Sequence, residues 1–263
     1  MRPAPLAAIT FIAAFSLSAT AACANHHEEA PADAIAAAVA SESRTPANVA
    51  RDGFRHPAET LAFFGVKPTD TLVEYNPGGG WYTEILVPLV SKKGRYIGTQ
   101  GAGAGLEGLK AKFSGENVGF AAWLPDASAI APGSVDTLLT FRNVHNMVMR
   151  GTGAETFAIF FSLLKPGGTL GVVDHRLPEE RDTALEKSSG YLKLSTVRKL
   201  AEDAGFVLEA QSEINANPKD SADWEKGVWT LPPTLTLKDQ DRDKYLSVGE
   251  SDRMTLRFRK PAT

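Results

Sequence analysis

Two short polar runs hold most of the chemistry this sequence offers. One is Arg142-Asn143-Val144-His145-Asn146, directly after the apolar stretch VDTLLTF; the other is Asp174-His175-Arg176, directly after TLGVV. Of five histidines in the chain, His145 and His175 both stand in these runs, whereas His26 and His27 lie in a polar N-terminal tract and His56 precedes a helical segment. A histidine with a pKa of about 6.5 is suited to take a proton at neutral pH, and general-base catalysis of that kind contributes about 10²–10⁴-fold. His145 is therefore the candidate base, with Asp174 or His175 as its partner or as a substrate ligand. Arg142 and Arg176 are candidate ligands of an anionic substrate, because a guanidinium forks onto a carboxylate or phosphate. A metal site of two nitrogens and one oxygen, from His145, His175 and Asp174 or Glu250, would draw on the same residues. No His-x-x-x-His spacing points to one, so no metal is expected. The competing use of these polar residues is structural: they would cap helices and tie loops together, Asn143 above all.

What would bring the two runs together is an alternation of apolar strands and helical segments. The pattern predicts strands at 71–75, 94–100, 117–123, 135–141, 169–175, 206–212 and 253–260. Helices are predicted at 81–90, 104–113, 153–164 and 195–204, with KPGG at 165–168 stopping the third. Before them, TPANVARDGFRHPAETLAFFGV reads as two short helices, the second starting after Pro57 and burying Leu61, Phe63 and Phe64. The alternation implies right-handed crossovers and a largely parallel sheet, closed by an antiparallel pair. Ligands of such sheets lie outside the carboxyl ends of the strands, where both polar runs would face one crevice. Gly78, Gly79 and Gly80, in VEYNPGGGWYTEIL, fall at the same crevice between the first strand and its helix. Glycines there permit positive φ and leave no Cβ to obstruct a ligand, and the helix after them presents free N–H groups. A tight turn with no ligand would use the same residues.

An insert at 213–250 precedes the last strand, and its Trp224, Trp229, Pro232 and Pro233 suit a rigid flap over the substrate side. Trp229 and Tyr245 are candidates to line a substrate pocket; packing against the sheet is the alternative. Glu250, Asp252 and Arg253 are crowded enough to form a local ion-pair network.

The 263 residues carry a net charge of −3, with 43% hydrophobic and 22% charged residues. That suits one globular domain, and with no Lys/Arg-rich run nucleic acid is not an expected partner. The start, MRPAPLAAITFIAAFSLSATAAC, has Arg2, an apolar run from Leu6 to Leu17 and then small residues. It reads as a secretory signal over residues 1–22, too short for a helix that stays in the membrane. Cys23, the only cysteine, follows Thr-Ala-Ala and resembles the lipobox of bacterial lipoproteins, with Thr20 where that motif prefers Leu. The expectation is an exported chain, in the periplasm or on the outer membrane, whose one membrane attachment is a lipid at Cys23. The alternative is cleavage nearby that leaves a free thiol. Residues 23–44 then form a tether and 45–263 the domain, with no disulfide within the chain.

A strand ending in an acid, Glu74, then a glycine-rich turn, then LLKPGGTLGVVD at 163–174 resembles the class I S-adenosylmethionine-dependent methyltransferases, over roughly residues 55–260. More narrowly, VEYNPGGGWYTEIL, FRNVHN, DHR and GESDRMTLRF resemble a group of bacterial methyltransferases that are often exported. The resemblance implies a Rossmann-like α/β fold: a seven-stranded, mostly parallel sheet in the order 3-2-1-4-5-7-6 with helices on both faces. It implies S-adenosylmethionine as cofactor and a small-molecule acceptor. By position, Glu74, Asn76, Gly78 and Gly80 would surround the methionine portion, with Gly79 and Asn143 among the cofactor contacts. Gln100 would meet the ribose hydroxyls, where the family usually has Asp or Glu, and Asp126 would meet the adenine. Gln100 and the export signal leave two alternatives standing. One is a different enzyme on the same fold using the His145/His175 rim, with or without a metal. The other is a periplasmic protein that binds a small ligand.

Overall fold

The computed structural model describes residues 31–123 and 129–262 together with Met1. The signal segment, Cys23 and Asp126 lie outside the described residues. Four N-terminal helices come first: α1 (Pro31–Val39), α2 (Pro46–Val49), α3 (Asp52–Arg55) and α4 (Pro57–Phe64). The α/β body follows as β1 (Thr71–Tyr75), α5 (Thr83–Val90), β2 (Arg95–Gln100), α6 (Ala104–Lys112), β3 (Val118–Ala122), β4 (Val135–Phe141), α7 (Val144–Arg150), α8 (Gly153–Leu163), β5 (Leu164–His175), α9 (Leu194–Asp203) and β6 (Val207–Ser212). The chain closes with α10 (Arg242–Val248) and β7 (Arg253–Arg259).

The seven strands form one sheet in the order β3-β2-β1-β4-β5-β7-β6, as the resemblance implies. All pairings are parallel except those of β7, which runs antiparallel to β5 and to β6. Central strands covered on both faces must be apolar on both, which explains the continuous runs LLTF and LGVV. Successive residues alternate between two cores. Val73, Leu138 and Val172 pack with Phe157, Phe160 and Val197 on one side. Leu72, Leu139 and Val173 pack with Leu61, Phe64, Ile85 and Leu86 on the other. Each such side chain, removed from water, contributes about 1.5–3 kcal/mol. Leu61 and Phe64 are buried as the sequence predicts, while Phe63 is only half-buried.

The tether expected over residues 23–44 is corrected in its second half. Residues 31–39 form helix α1, which buries Ile35 and Ala38 in the same core as α4 and α5. Arg44 is buried and forks onto Asp52, both N–O distances being 2.7 Å. An alanine-rich stretch carries little periodic signal, because two buried side chains per helix suffice once a groove between two other helices exists.

The insert 213–250 adds no strand to the sheet. It is ordered by a small core of Leu177, Tyr191, Ala222 and Val228 and by the Asp220 carboxylate. That carboxylate accepts from the Tyr191 hydroxyl (2.9 Å), the Trp224 indole (2.7 Å) and the Asp252 amide (2.8 Å). No described helix is long and apolar enough to cross a membrane.

Candidate active site

The carboxyl ends of β4 and β5 bring the two polar runs together. Asp174 is fully buried at the end of β5, and His145 stands in the first turn of α7. The His145 ring nitrogen Nδ1 lies 2.8 Å from Asp174 Oδ1, and the His145 amide donates to Oδ2 at 3.1 Å. The His175 amide donates to Oδ1 at 2.8 Å. A buried carboxylate needs such donors. They also orient the imidazole: with the proton on Nδ1, the Nε2 lone pair accepts from Asn146 Nδ2 at 3.0 Å. His175 sits with its ring 5.1 Å from that of His145 and bonds Ser251 through Nδ1. Burial above all, and then the nearby guanidinium charges of Arg253, Arg142 and Arg55, push His175 well below the usual histidine range, so it is neutral.

His145, Asp174 and His175 offer ligand atoms all within 4.8 Å of one another, so the N/N/O set weighed from sequence is brought together. In this arrangement each of the three is already held by a hydrogen bond. The Glu250 carboxylate belongs instead to a cluster with Arg51, Arg55 and Arg253.

The glycine turn lies beside this pair. Gly78 (φ 60°) and Gly80 (φ 82°) adopt left-handed backbone that side chains rarely tolerate. At Gly79 an added Cβ would meet nothing within 4 Å, so its space opens into the site. A cavity of about 350 Å³ is lined by Gly78, Gly79, Asn76, His145, His175 and Trp229. A second, of about 200 Å³, is lined by Gln100, Trp123, Asn146 and Arg150, and the two share Tyr75, Asn76 and Asn143 at their border. Asn76 Nδ2 donates to Asn143 Oδ1 at 2.7 Å, and Asn143 Nδ2 donates to the Tyr75 carbonyl at 3.0 Å. These amides knit the ends of β1 and β4, so Asn143 does the loop-tying that its type suggested while also facing both cavities.

Glu74 is buried and lines the larger cavity; the hydroxyls of Tyr96 (2.6 Å) and Thr83 (2.8 Å) both donate to its Oε2. Burial raises its carboxyl to about 7 against the lowering effect of those hydroxyls. Among the described residues Gln100 Oε1, buried at the edge of the smaller cavity, has no hydrogen-bond partner. A buried acceptor of that kind calls for a donor, which a bound ligand or water can supply.

Two sequence candidates lie elsewhere. Arg176 forks onto Asp252 (2.8 and 3.0 Å) and reaches Glu213, so it staples the insert and is absent from the lining of the larger cavity. Tyr245 packs edge-on against Trp224 at 5.7 Å and likewise lines no part of that cavity. Trp229 does line it, edge-on to His145 at 6.3 Å. Arg142 also does, on left-handed backbone (φ 61°) held by its amide on the Val173 carbonyl at 2.7 Å.

Sequence reading missed the wall made by α2 and α3. Trp81, just after the glycines, donates its indole N–H to the Asn48 carbonyl at 3.0 Å and lies under the Arg55 guanidinium at 4.7 Å. This docking puts Arg51 and Arg55 into the cavity lining, where Arg253 joins them from the start of β7. The one available signal was the i, i+4 spacing of Arg51 and Arg55, which places both on one helical face.

The fold has many known relatives in shape. A SAM-dependent methyltransferase from Aquifex aeolicus superposes with a TM-score of 0.56 at 15% identity, covering 80% of this chain and 93% of its own. An S-adenosylmethionine-dependent methyltransferase from Mesorhizobium loti gives 0.51 at 14% identity, covering 79% and 99%. This is the class I methyltransferase fold. The [4+2]-cyclase SpnF shares it too, with a TM-score of 0.54 at 14% identity over 85% of this chain and 86% of its own. No family model matches the sequence, and no curated protein matches it either. At these identities the likeness establishes the fold alone, and chemistry must be argued from the site.

Proposed function

We propose that the chain is an S-adenosylmethionine-dependent methyltransferase acting on a small-molecule acceptor. The observation that carries this reading is the pair of bordering cavities beneath the glycine turn. One offers an unpartnered acceptor, Gln100 Oε1, where a ribose hydroxyl would donate; the other holds an Asp174-oriented His145. The smaller cavity suits the adenosine portion, with Trp123 beside it, and Gly78 and Gly79 leave room for the methionine portion in the larger one. When bound, the cofactor supplies a methyl group on an electrophilic sulfonium.

The protein's own residues then have three tasks. The glycine turn and Asn76 position the ligand, and positioning supplies most of the acceleration in such transfers. Trp229 and the insert cover the acceptor side, excluding water. His145 Nε2 takes a proton from an acceptor that must lose one, while Asp174 steadies the imidazolium that forms. The leader and Cys23 support an exported, lipid-anchored form, a proposal that stands on the sequence alone.

The test is calorimetric titration of the protein with S-adenosylmethionine and S-adenosylhomocysteine. Micromolar binding is expected in the wild type and loss of binding in Gly79→Trp, whose new side chain fills the site without backbone strain. No binding at millimolar ligand would refute the reading. It would favour a different reaction on the same fold, which the cyclase neighbour and the glutamine at the usual acid position make the second reading.

A further inference from the structure

The methyl-transfer reading leaves the most unusual feature of the larger cavity unused. Four guanidinium groups line it: Arg51 from the residue preceding α3, Arg55 from the end of α3, Arg142 from just after β4 and Arg253 from the start of β7. Among the described residues one carboxylate forms ion pairs with them. Glu250 Oε1 accepts from Arg51 Nε at 2.6 Å, and Oε2 accepts from Arg55 Nε at 3.1 Å and from Arg253 Nη2. Asp174 is engaged with His145 and two amides, and Glu74 faces Tyr96 and Thr83. Among the described residues Arg142 forms no ion pair.

Donors are also left over. Among the described residues Arg51 Nη2, Arg55 Nη2 and Arg253 Nε are buried without a hydrogen-bond partner, and the Arg55 side chain is only 4% exposed. Buried charge without a counter-charge, and buried N–H groups without acceptors, each cost free energy unless a ligand supplies the missing oxygen atoms. Burial, then the neighbouring charge of Arg142, lowers the Arg55 guanidinium to about 8, the electrostatic sign of the same deficit. The Arg142 backbone is held in the left-handed region at the point where its side chain joins the cluster, a kind of strain that gathers at ligand clamps.

We propose that Arg51, Arg55, Arg142 and Arg253 form an oxyanion site, and that the methyl acceptor is a small molecule carrying a carboxylate or phosphate group. The word acceptor rests on the methyl-transfer reading; the anion site does not. Guanidinium forks would bind the anionic group in a cavity of about 350 Å³ that His145 also lines, so anion site and base face one space. A cofactor carboxylate is the competing occupant, and the experiment separates the two.

The full-length protein is titrated with inorganic phosphate and, separately, with succinate, at constant ionic strength in sodium chloride, with and without S-adenosylhomocysteine. Thermal midpoint and calorimetric heat are both read. The expected result is saturable stabilisation by one of the two probes with a roughly millimolar Kd, retained when S-adenosylhomocysteine is bound. Arg142→Gln should lower that affinity about tenfold or more while keeping or raising the anion-free midpoint, because it removes a partly buried cation that forms no ion pair among the described residues. Absence of any saturable response to either probe would overturn the site. Competition between the probe and S-adenosylhomocysteine would overturn its assignment to the acceptor, giving the arginines to the cofactor carboxylate. Anion binding with no S-adenosylhomocysteine binding would keep the oxyanion site and remove the methyl-transfer reading.

Discussion

Replacing Glu250 by Gln tests the electrostatics of the cavity wall directly. The side chain is 3% exposed and is contacted by Arg51, Arg55 and Arg253. Burial alone would raise its carboxyl, yet Arg253, Arg55 and Arg51 outweigh burial and hold it at about 2, against an ordinary value of 4.5. That depression corresponds to about 3 kcal/mol of folding stability at neutral pH. The figure agrees with the roughly 3–5 kcal/mol lost when one partner of a buried ion pair is removed. Because the folded value lies below the unfolded one, the contribution is fully present above pH 4.5 and disappears as pH falls toward about 2. Urea denaturation of wild type and Glu250→Gln at pH 7, in chloride buffer free of phosphate, should therefore differ by about 3 kcal/mol. The gap should narrow as both are taken from pH 5 toward pH 2.5. A difference below about 1 kcal/mol at pH 7, or one that stays constant across the acid range, would refute the reasoning that Glu250 is the counter-charge holding Arg51, Arg55 and Arg253.

Other perturbations follow from the same geometry. His145→Ala should lower kcat by about 10²–10⁴-fold and leave S-adenosylhomocysteine affinity unchanged, and Asp174→Asn should reproduce much of that loss by releasing the imidazole; unaltered turnover would exclude His145 as base. Glu74, raised to about 7 by burial, holds its proton more tightly folded than unfolded, so it lowers stability as pH rises from 4.5 to about 7. Glu74→Gln should remove that slope, a difference of about 3 kcal/mol across the window, and parallel pH–stability curves for the two proteins would contradict it. Ile35→Ala should destabilise by about 2–4 kcal/mol because α1 is part of the core; an unchanged urea midpoint would return that segment to the tether. Tyr245→Phe should leave KM for the acceptor unchanged whereas Trp229→Ala raises it, since Trp229 alone of the two lines the cavity; a KM shift in Tyr245→Phe would contradict the placement.

Much of this molecule was legible in its sequence. The strand at 71–75 and that at 135–141 have the predicted bounds, and most other elements begin or end within two residues of them. Strands buried on both faces must be continuously apolar, and consecutive glycines after the first strand mark a tight turn into a helix, so these features are local and readable. For the same reason His145, Asp174 and His175 could be placed at one rim: each follows the carboxyl end of a predicted strand, and parallel strands put those ends side by side. Position along a strand does not say where a long side chain points. Arg176 leans out to Asp252 while Arg142, in an equivalent place, turns into the cavity on left-handed backbone. The arginine wall was hidden more completely, since Arg51 meets Glu250 across 199 residues of chain, through helices too short to announce what they pack on. Pattern and turn chemistry thus determined the sheet, the crevice and its histidines. The charge balance inside the crevice was decided only when chain ends distant in sequence closed over it, because Coulomb and hydrogen-bond partners are chosen by distance in space.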